Sequence, residues 1–340
     1  MADAQQVLEP EASAEQRIDE DRRGEMHLQL LEDLWDDTEL NDAHKKIGNG
    51  DVAQGLTDLI NSLHERRACS SDLEWDEYKV LCRNHPVCKM LHQDPFTKRA
   101  FDKPRGYAGD AVLLDYIYGQ DDGKPLPEDT TDLGREIFKY TTVAPAPLAV
   151  LARRDGISGM LDRLVEDVSK PHVMSIAAGH MREAELARCI KRRKMGRLVA
   201  LDSDAESLFE VEKCYGQYGV EVVPASIRRL LTGKLDLGGN FDFVYSTGLF
   251  DYLKVPVGQR LVREMFGLLK PGGRLMVANF LPNIRDVGYM EVFMAWDLIY
   301  RNRTEVMELT MEIPQEEIKD VRVFSEDNTN ILFLEVTRHI

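Results

Sequence analysis

The chain has 340 residues, 43% of them hydrophobic, enough for a sizeable core in one large domain or two of ordinary size. Its 59 acidic against 43 basic residues give a formal charge of -16, which argues against non-specific binding to nucleic acid or anionic membranes, since both need basic surface. No apolar stretch approaches the roughly 18 residues of a membrane span, and five scattered cysteines fit a reducing cytosol better than a disulfide framework, so a cytoplasmic protein is expected.

Residues 1–24 are charged, poor in aromatics and without the apolar region of a signal peptide, and read as a flexible leader. From Met26 to about Leu91 the apolar spacing is helical: Leu28, Leu31, Leu34, then Val52, Leu56, Leu59, Ile60 and Leu63. "CRNHPVC" (Cys82, His85, Cys88) has no standard zinc spacing and no second pair nearby, so no metal is expected. "FDKPRGYAGDAVLLDYIYG" (Phe101 to Gly119) reads as a loop, broken by Pro104, Gly106 and Gly109, then a helix from Ala111 with Asp110 at its N-cap. A turn-rich stretch follows. A helical segment from about Leu133 to Val165 has its break at "APAP", Ala144 to Pro147. Residues 25–165 thus form an all-helical domain.

After "SKP" the pattern changes. "HVMSIAA" is a short apolar strand and "REAELARCIKRR" a helix. The basic run "KRRKMGR" (Lys191 to Arg197) reads as a solvated helix C-terminus, where cations suit the helix dipole. "GRLVALDSD" is a second strand ending on an acid, "VEVVPASI" a third, "FDFVYSTGLFDYL" a fourth with its loop, and "RLMVANFLP" a fifth. Helices lie between them; "VGQRLVREMFGLLKPGG" ends in a glycine stop. "GYMEVFMAWDLIYR" is a helix, and "VRVFSED" and "NILFLEVTRH" close as a strand pair. Strands alternating with helices over 166–340 predict a doubly wound, mainly parallel α/β sheet. There is no internal repeat.

In such a sheet ligands bind at the carboxyl ends of the strands. The loop after the first strand, "AAG" (Ala177, Ala178, Gly179), has small side chains that allow close approach, although only Gly179 tolerates positive φ freely. A diphosphate seat usually wants a fuller glycine set, so dinucleotides are disfavoured. Asp202 ends the second strand, and its two oxygens match the two hydroxyls of a ribose; the alternative is that Asp202 caps the next helix, a task that Ser203 or Asp204 could also take. "PASI" places Ser226 and Ile227 where an adenine would lie, and "YSTG" is a small polar loop opposite the first. "LLKPGGRLMVANF" (Leu268 to Phe280) is the most specific of these signals: a helix, a Lys-Pro-Gly-Gly turn and an apolar strand.

The order "VMSIAAG", "LVALDSD", "FDFVYSTGLFDYL", "LLKPGGRLMVANF" resembles the class I S-adenosylmethionine-dependent methyltransferase family, over about half the chain. The resemblance implies a Rossmann-like methyltransferase sheet behind an N-terminal helical lid. It also implies S-adenosylmethionine as cofactor. Ala177, Gly179 and His180 would meet its methionine part, Asp202 with Ser203 its ribose, and Ser226 and Ile227 its adenine; Ser246 and Thr247 would lie near the sulfonium. Two usual glycines are replaced, by Ala177 and Met181, and a usual acid by Ser175, so Arg182 is expected to meet the methionine carboxylate.

"PRGYAGDAVLLDYIYG" together with "SIAAGHMREAEL" is similar to proteins of hydroxy fatty acid methyl ester biosynthesis and to azetidine-2-carboxylate synthases. On that likeness Arg105 would meet a substrate carboxylate, Tyr107 would face the sulfonium, Asp110 would be an acceptor or only the helix cap, and Trp296 and Asp297 would face substrate. The candidate catalytic set is Tyr107, Asp110 and Asp297. Methyl transfer to a small metabolite or acyl acid is the leading expectation. A cyclase of secondary metabolism, which closes the cofactor on itself and releases methylthioadenosine, is the alternative; a non-catalytic cofactor-binding protein is the third. The expected partner is a small molecule; oligomeric state is left open.

Overall fold

The structure, a computed structural model, describes residues 36–119, 126–235 and 237–340. The expected leader and the helical positions Leu28, Leu31 and Leu34 lie outside the described residues. Among the described residues eight helices come first: α1 (Thr38–Gly48), α2 (Val52–Cys69), α3 (Asp72–Asn84), α4 (Pro86–Leu91), α5 (Pro95–Asp102), α6 (Ala111–Tyr118), α7 (Asp132–Thr141) and α8 (Pro145–Asp167). Their starts follow from local chemistry. Ser71 and Glu74 form a capping box at α3, and Pro145 and Pro147 sit in the first turn of α8, where a missing N–H costs nothing. In "CRNHPVC" Cys82 and Cys88 are buried and His85 Nδ1 caps α4 by accepting from the Val87 amide.

The sheet begins at β1 (His172–Ile176). It continues through α9 (Glu183–Leu186), α10 (Arg188–Lys191), β2 (Arg197–Asp202), α11 (Ala205–Tyr215), β3 (Val220–Pro224), α12 (Ile227–Leu231), β4 (Phe241–Ser246), α13 (Val255–Gly267) and β5 (Leu269–Phe280). It ends with α14 (Val287–Phe293), α15 (Arg303–Glu308), β6 (Ile318–Ser325) and β7 (Ile331–Arg338). Strand order is β3-β2-β1-β4-β5-β7-β6, with β7 antiparallel between β5 and β6. The chain leaves β1 for β2 on one side and returns to β4 on the other, so the switch point opens beyond the ends of β1 and β4.

Central strands read as unbroken apolar runs because both faces are covered. Val173, Ala200, Phe243 and Tyr245 point into a core continuous with the helical segment. Their neighbours Met174, Val199, Val244 and Leu275 face the opposite core under α13. The alternation is the two-residue side-chain period of a strand. α14 closes the first core by lying on α2, where a Cβ on Gly288 would come 2.7 Å from Leu63 Cβ and 2.8 Å from its carbonyl oxygen.

Three details differ from expectation. The "KPGG" turn is not a stop between helix and strand: α13 ends at Gly267, and Lys270 to Gly273 belong to β5, with the β4–β5 register shifting between Phe241 and Phe243. Gly272 supplies the positive φ of 78° that the irregularity needs. The helix expected over "GYMEVFMAWDLIYR" ends at Phe293; Arg301, 1% exposed, holds the following segment by donating to the carbonyls of Phe250 and Leu253 and to Asn279 Oδ1. "REAELARCIKRR" breaks at Ala187 into α9 and α10.

Because the α14–α2 contact has no space for a methyl group, Gly288→Ala is expected to destabilise the protein by about 1–3 kcal/mol, read as a lower urea midpoint at unchanged slope.

Candidate functional site

Beyond the carboxyl ends of β1, β2 and β4 lies a cavity of about 350 Å³, bounded on its other side by the "RGYAGD" loop, α6 and α8. Its floor is the bend after β1. Ala178 N–H donates to Leu201 O at 3.1 Å, and Gly179 N–H donates to Asp202 Oδ2 at 2.8 Å. The other oxygen of Asp202 accepts from Asp204 N–H at 2.9 Å. Each carboxylate oxygen keeps a further lone pair, so Asp202 can still accept from a ligand's hydroxyls while it shapes the loop. The bend runs through three left-handed residues: Ala177 (φ 54°), Gly179 (φ 53°) and Met181 (φ 50°). Ala177 and Met181 are the positions where glycine was expected. The backbone keeps the glycine conformation without the glycines.

The helical segment grips this bend. Asp115 on α6 accepts from Arg182 Nε at 2.7 Å and Nη2 at 2.6 Å, and pairs with His180 Nδ1 at 2.9 Å. Burial alone would raise the Asp115 carboxyl; the hydrogen bonds from Arg182 and His180 outweigh it and hold it well below the ordinary carboxylate range. Arg182 also meets Glu185 at 3.1 Å and Glu210 at 3.3 Å and is 5% exposed. It lines the cavity and at the same time latches the bend to the helical segment. A Cβ on Gly179 would stand 3.4 Å from Ala111 Cβ, so α6 lies directly on the bend.

Other expected residues are placed as follows. Asp110 is fully buried, caps α6 through Leu113 N–H at 2.7 Å, and accepts from Arg99 Nε and Nη2 with its two oxygens; it is a structural cap. Arg105 is clasped by Asp204 and Glu206, each at 2.8 Å, which ties the "RGYAGD" loop to the start of α11. Asp297 is exposed and pairs with Lys79 at 3.3 Å, outside the cavity lining. Ser226 and Ile227 follow the exit of β3, two and three residues past Pro224, the register partner of Asp202, and lie outside the lining. Ser203 and Thr247 line the cavity; Ser246 beside them is buried with no partner for its hydroxyl among the described residues.

Tyr107 lines the cavity, 38% exposed, with its ring edge-to-face on Tyr252 at 6.2 Å. Burial, followed by the nearby charges of Asp202 and Asp110, pushes its hydroxyl up to about 12, so it stays protonated at neutral pH. Trp296 donates to Tyr252 Oη at 2.8 Å. Gly109 packs against both: a Cβ there would be 2.6 Å from Trp296 Cζ2 and from Tyr252 Oη. Asp251, buried, accepts from Phe280 N–H at 2.7 Å, and burial pushes its carboxyl up to about 6. Two more charged groups line the cavity. Arg153 of α8 donates to Thr247 O, and Glu183 accepts from Tyr245 Oη at 2.6 Å. Burial raises the Glu183 carboxyl. Asp115, Glu183 and Tyr252 lie within stretches quoted above but were not singled out there, and Arg153 lies outside them all; Asp115 had a visible cue, its place on the expected α6, one turn beyond the cap.

Residues 175–277 match the family model described as a methyltransferase domain. The match covers less than a third of the chain and spans β1 to the middle of β5. The sheet it covers has the Rossmann-like fold of the S-adenosylmethionine-dependent methyltransferases. A search of curated proteins finds no match. Among solved structures, the chain is similar to a possible exported protein from Bordetella parapertussis, at 17% identity and a TM-score of 0.49, over 75% of this chain and 96% of that one. It is similar to magnesium protoporphyrin IX methyltransferase of Synechocystis with bound SAH, at 11% identity and a TM-score of 0.44, over 67% and 98% of the two chains. A third is the N-methyltransferase NodS of Bradyrhizobium japonicum, at 14% identity and a TM-score of 0.39, over 56% and 97%.

Two outcomes test this geometry. Ala177→Gly should stabilise the fold by about 0.5–1 kcal/mol, because glycine adopts the left-handed conformation freely; Met181→Gly should destabilise it, since a side chain 1% exposed is lost. Asp115→Asn should destabilise by about 3 kcal/mol at neutral pH, as expected for stranding one member of a buried pair. The Asp115 carboxyl lies below its unfolded value, so its contribution is complete above about pH 4 and lost as pH falls further. The gap between wild type and Asp115→Asn, followed by denaturant unfolding, should be flat from pH 7 to 5 and shrink below pH 4.

Proposed function

We propose that the protein is an S-adenosylmethionine-dependent methyltransferase of a small-molecule acceptor. The observation that carries the reading is the Asp202 carboxylate, turned toward the Gly179 amide at the lip of the switch-point cavity. A ribose laid there finds acceptors for both its hydroxyls, and the small residues of "AAG" let the rest of an adenosine sulfonium run along the backbone toward Thr247. The methyltransferase-domain match over the same strands supports the choice of cofactor.

In this reading the chain's own part in the reaction is placement and exclusion of water. The "RGYAGD" loop, held to α11 by Arg105 and to Tyr252 and Trp296 through Gly109, roofs the cavity. Tyr107 and Tyr252 present aromatic surface on which a sulfonium is favourably placed. The acceptor lies in the cavity beside Tyr107 and Tyr252. Asp251, whose carboxyl burial brings up to about 6, stands behind Tyr252 across a space for about one water and receives the acceptor's proton through it. Of the expected catalytic set, Tyr107 keeps a role at the site, Asp110 serves as a cap, and Asp297 has none.

One observation favours a second reading, that the cofactor is its own substrate and cyclises to azetidine-2-carboxylate. The space next to the cavity, between Trp296, Asp251 and Leu298, is about 20 Å³, room for about one water.

Incubation of the pure protein with S-adenosylmethionine separates the readings. S-Adenosylhomocysteine formed only when an acceptor is added supports methyl transfer. Methylthioadenosine and a cyclic amino acid from the cofactor alone support cyclisation, and tight binding with no turnover under either condition overturns both. Asp202→Ala should weaken cofactor binding by about 2 kcal/mol or more; unchanged affinity in calorimetry removes the ribose assignment.

A further inference from the structure

Arg153 and Glu183 share one property: each brings a charge to the cavity wall without an ion pair among the described residues, although the two feel each other, and Arg153 feels Asp251, at longer range. Arg153 is 6% exposed. It donates to Thr247 O and meets the Tyr118 hydroxyl. Among the described residues no carboxylate lies within ion-pair distance of it, in contrast to Arg99, Arg105 and Arg182 around the same site. Glu183 receives a side-chain hydrogen bond from the neutral Tyr245 hydroxyl, and among the described residues no cation lies within ion-pair distance of it. Gly248 adjoins the Arg153 guanidinium: a Cβ there would lie 3.9 Å from Nη2. A charge held out of water without a counter-charge is costly, and the structure holds one of each sign on the same cavity. A ligand with both a carboxylate and an ammonium satisfies the two at once.

We infer that Arg153 and Glu183 form a zwitterion clamp for the α-amino acid end of the bound molecule, Arg153 taking the carboxylate and Glu183 the ammonium. The inference rests on the S-adenosylmethionine reading and deepens it. The clamp displaces Arg182, whose donors are spent on Asp115, Glu185 and Glu210. It also draws α8 into the site: the helical segment then supplies the carboxylate anchor itself, and the sheet with its loops is an incomplete cofactor site. Glu183, on the short helix after the bend, supplies an acid to a loop that has serine at position 175.

Two adenosine probes test this on the full chain by calorimetry. S-Adenosylhomocysteine has the amino acid end, and 5′-methylthioadenosine lacks it. Wild type should bind the first more tightly. Arg153→Gln and Glu183→Gln should each weaken S-adenosylhomocysteine about 10-fold or more, the loss of one charge-assisted hydrogen bond, and leave methylthioadenosine within about 3-fold. Retained methylthioadenosine binding also certifies the fold of each variant; if Arg153→Gln does not fold, Arg153→Lys, expected to keep most of the preference, and Glu183→Gln carry the test. Arg182→Gln should shift both probes together, because it acts through the loop. An unchanged ratio of the two affinities in the Arg153 and Glu183 variants overturns the clamp while leaving the cofactor reading intact. A wild-type protein that binds neither probe overturns the cofactor reading instead.

Discussion

The site depends on one backbone event, the left-handed bend that follows β1. A strand that continued straight past Ile176 would fill the switch point with its own side chains. Turning through Ala177, Gly179 and Met181 empties that space. The conformation is unfavourable for alanine and methionine, so it must be held from outside. Hydrogen bonds from the end of β2, at Leu201 O and Asp202 Oδ2, fix two consecutive amides of the bend. Asp202 is therefore both the wall of the site and the reason the wall stands where it does.

The second restraint on the bend comes from the helical segment. Asp115 binds the residues immediately after Gly179, and Ala111 packs on Gly179 itself. Elsewhere the same face is joined by Arg105 to Asp204 and Glu206, and by Gly109 to Tyr252 and Trp296. These contacts differ in kind. The Asp115–Arg182 pair is largely out of water, where loss of one partner strands the other. The Arg105–Glu206 pair reaches a carboxylate whose side chain is 78% exposed, where an ion pair contributes little. The helical segment is thus anchored at the bend and more loosely fastened at the rim near Asp202. That distribution suits a segment that must stay in register with the bend while the rim of the cavity faces solvent.

The fold was legible because it is written in patterns repeated over many residues: helical spacing before Pro171, short apolar runs after it, an acid closing β2. Gly179 and Asp202 were legible for the same reason, each being the small or acidic residue at the end of such a run. Asp110 was legible as the cap of α6, though not its pairing with Arg99. The cations were not legible: Arg105 and Arg182 looked like ligand-binding groups, and each meets protein carboxylates brought close only by tertiary packing, Asp204 and Asp115. A charge in a sequence carries no record of whether its partner will be protein or ligand. Arg153 sits in "LARRDG" as one of two adjacent arginines inside a helix; only the packing of α8 against the exit of β4 distinguishes it. The break after Phe293 was hidden for a related reason: the backbone turns left-handed at Ala295, and the segment beyond is held by Arg301, a single buried side chain that binds the carbonyls of Phe250 and Leu253 and the Asn279 side chain.

The departures from the methyltransferase pattern at Ala177, Ser175 and Met181 then belong together. Glycines at 177 and 181 would relax the bend by themselves; with larger residues there, the bend relies more on Asp202 and Asp115. Met181 in turn puts a side chain into the core, which ties the loop to the helical segment by apolar contact as well as by charge. With serine at 175, Tyr245 on the neighbouring strand is left to donate to Glu183. The acid thereby moves from the end of the strand to the far side of the bend, facing α8 and Arg153. A site whose charges are divided in this way between the sheet and the helices needs both parts in place to hold a zwitterion. The separation of its two charged groups is set by how α8 packs against the exit of β4, not by the geometry of the sheet.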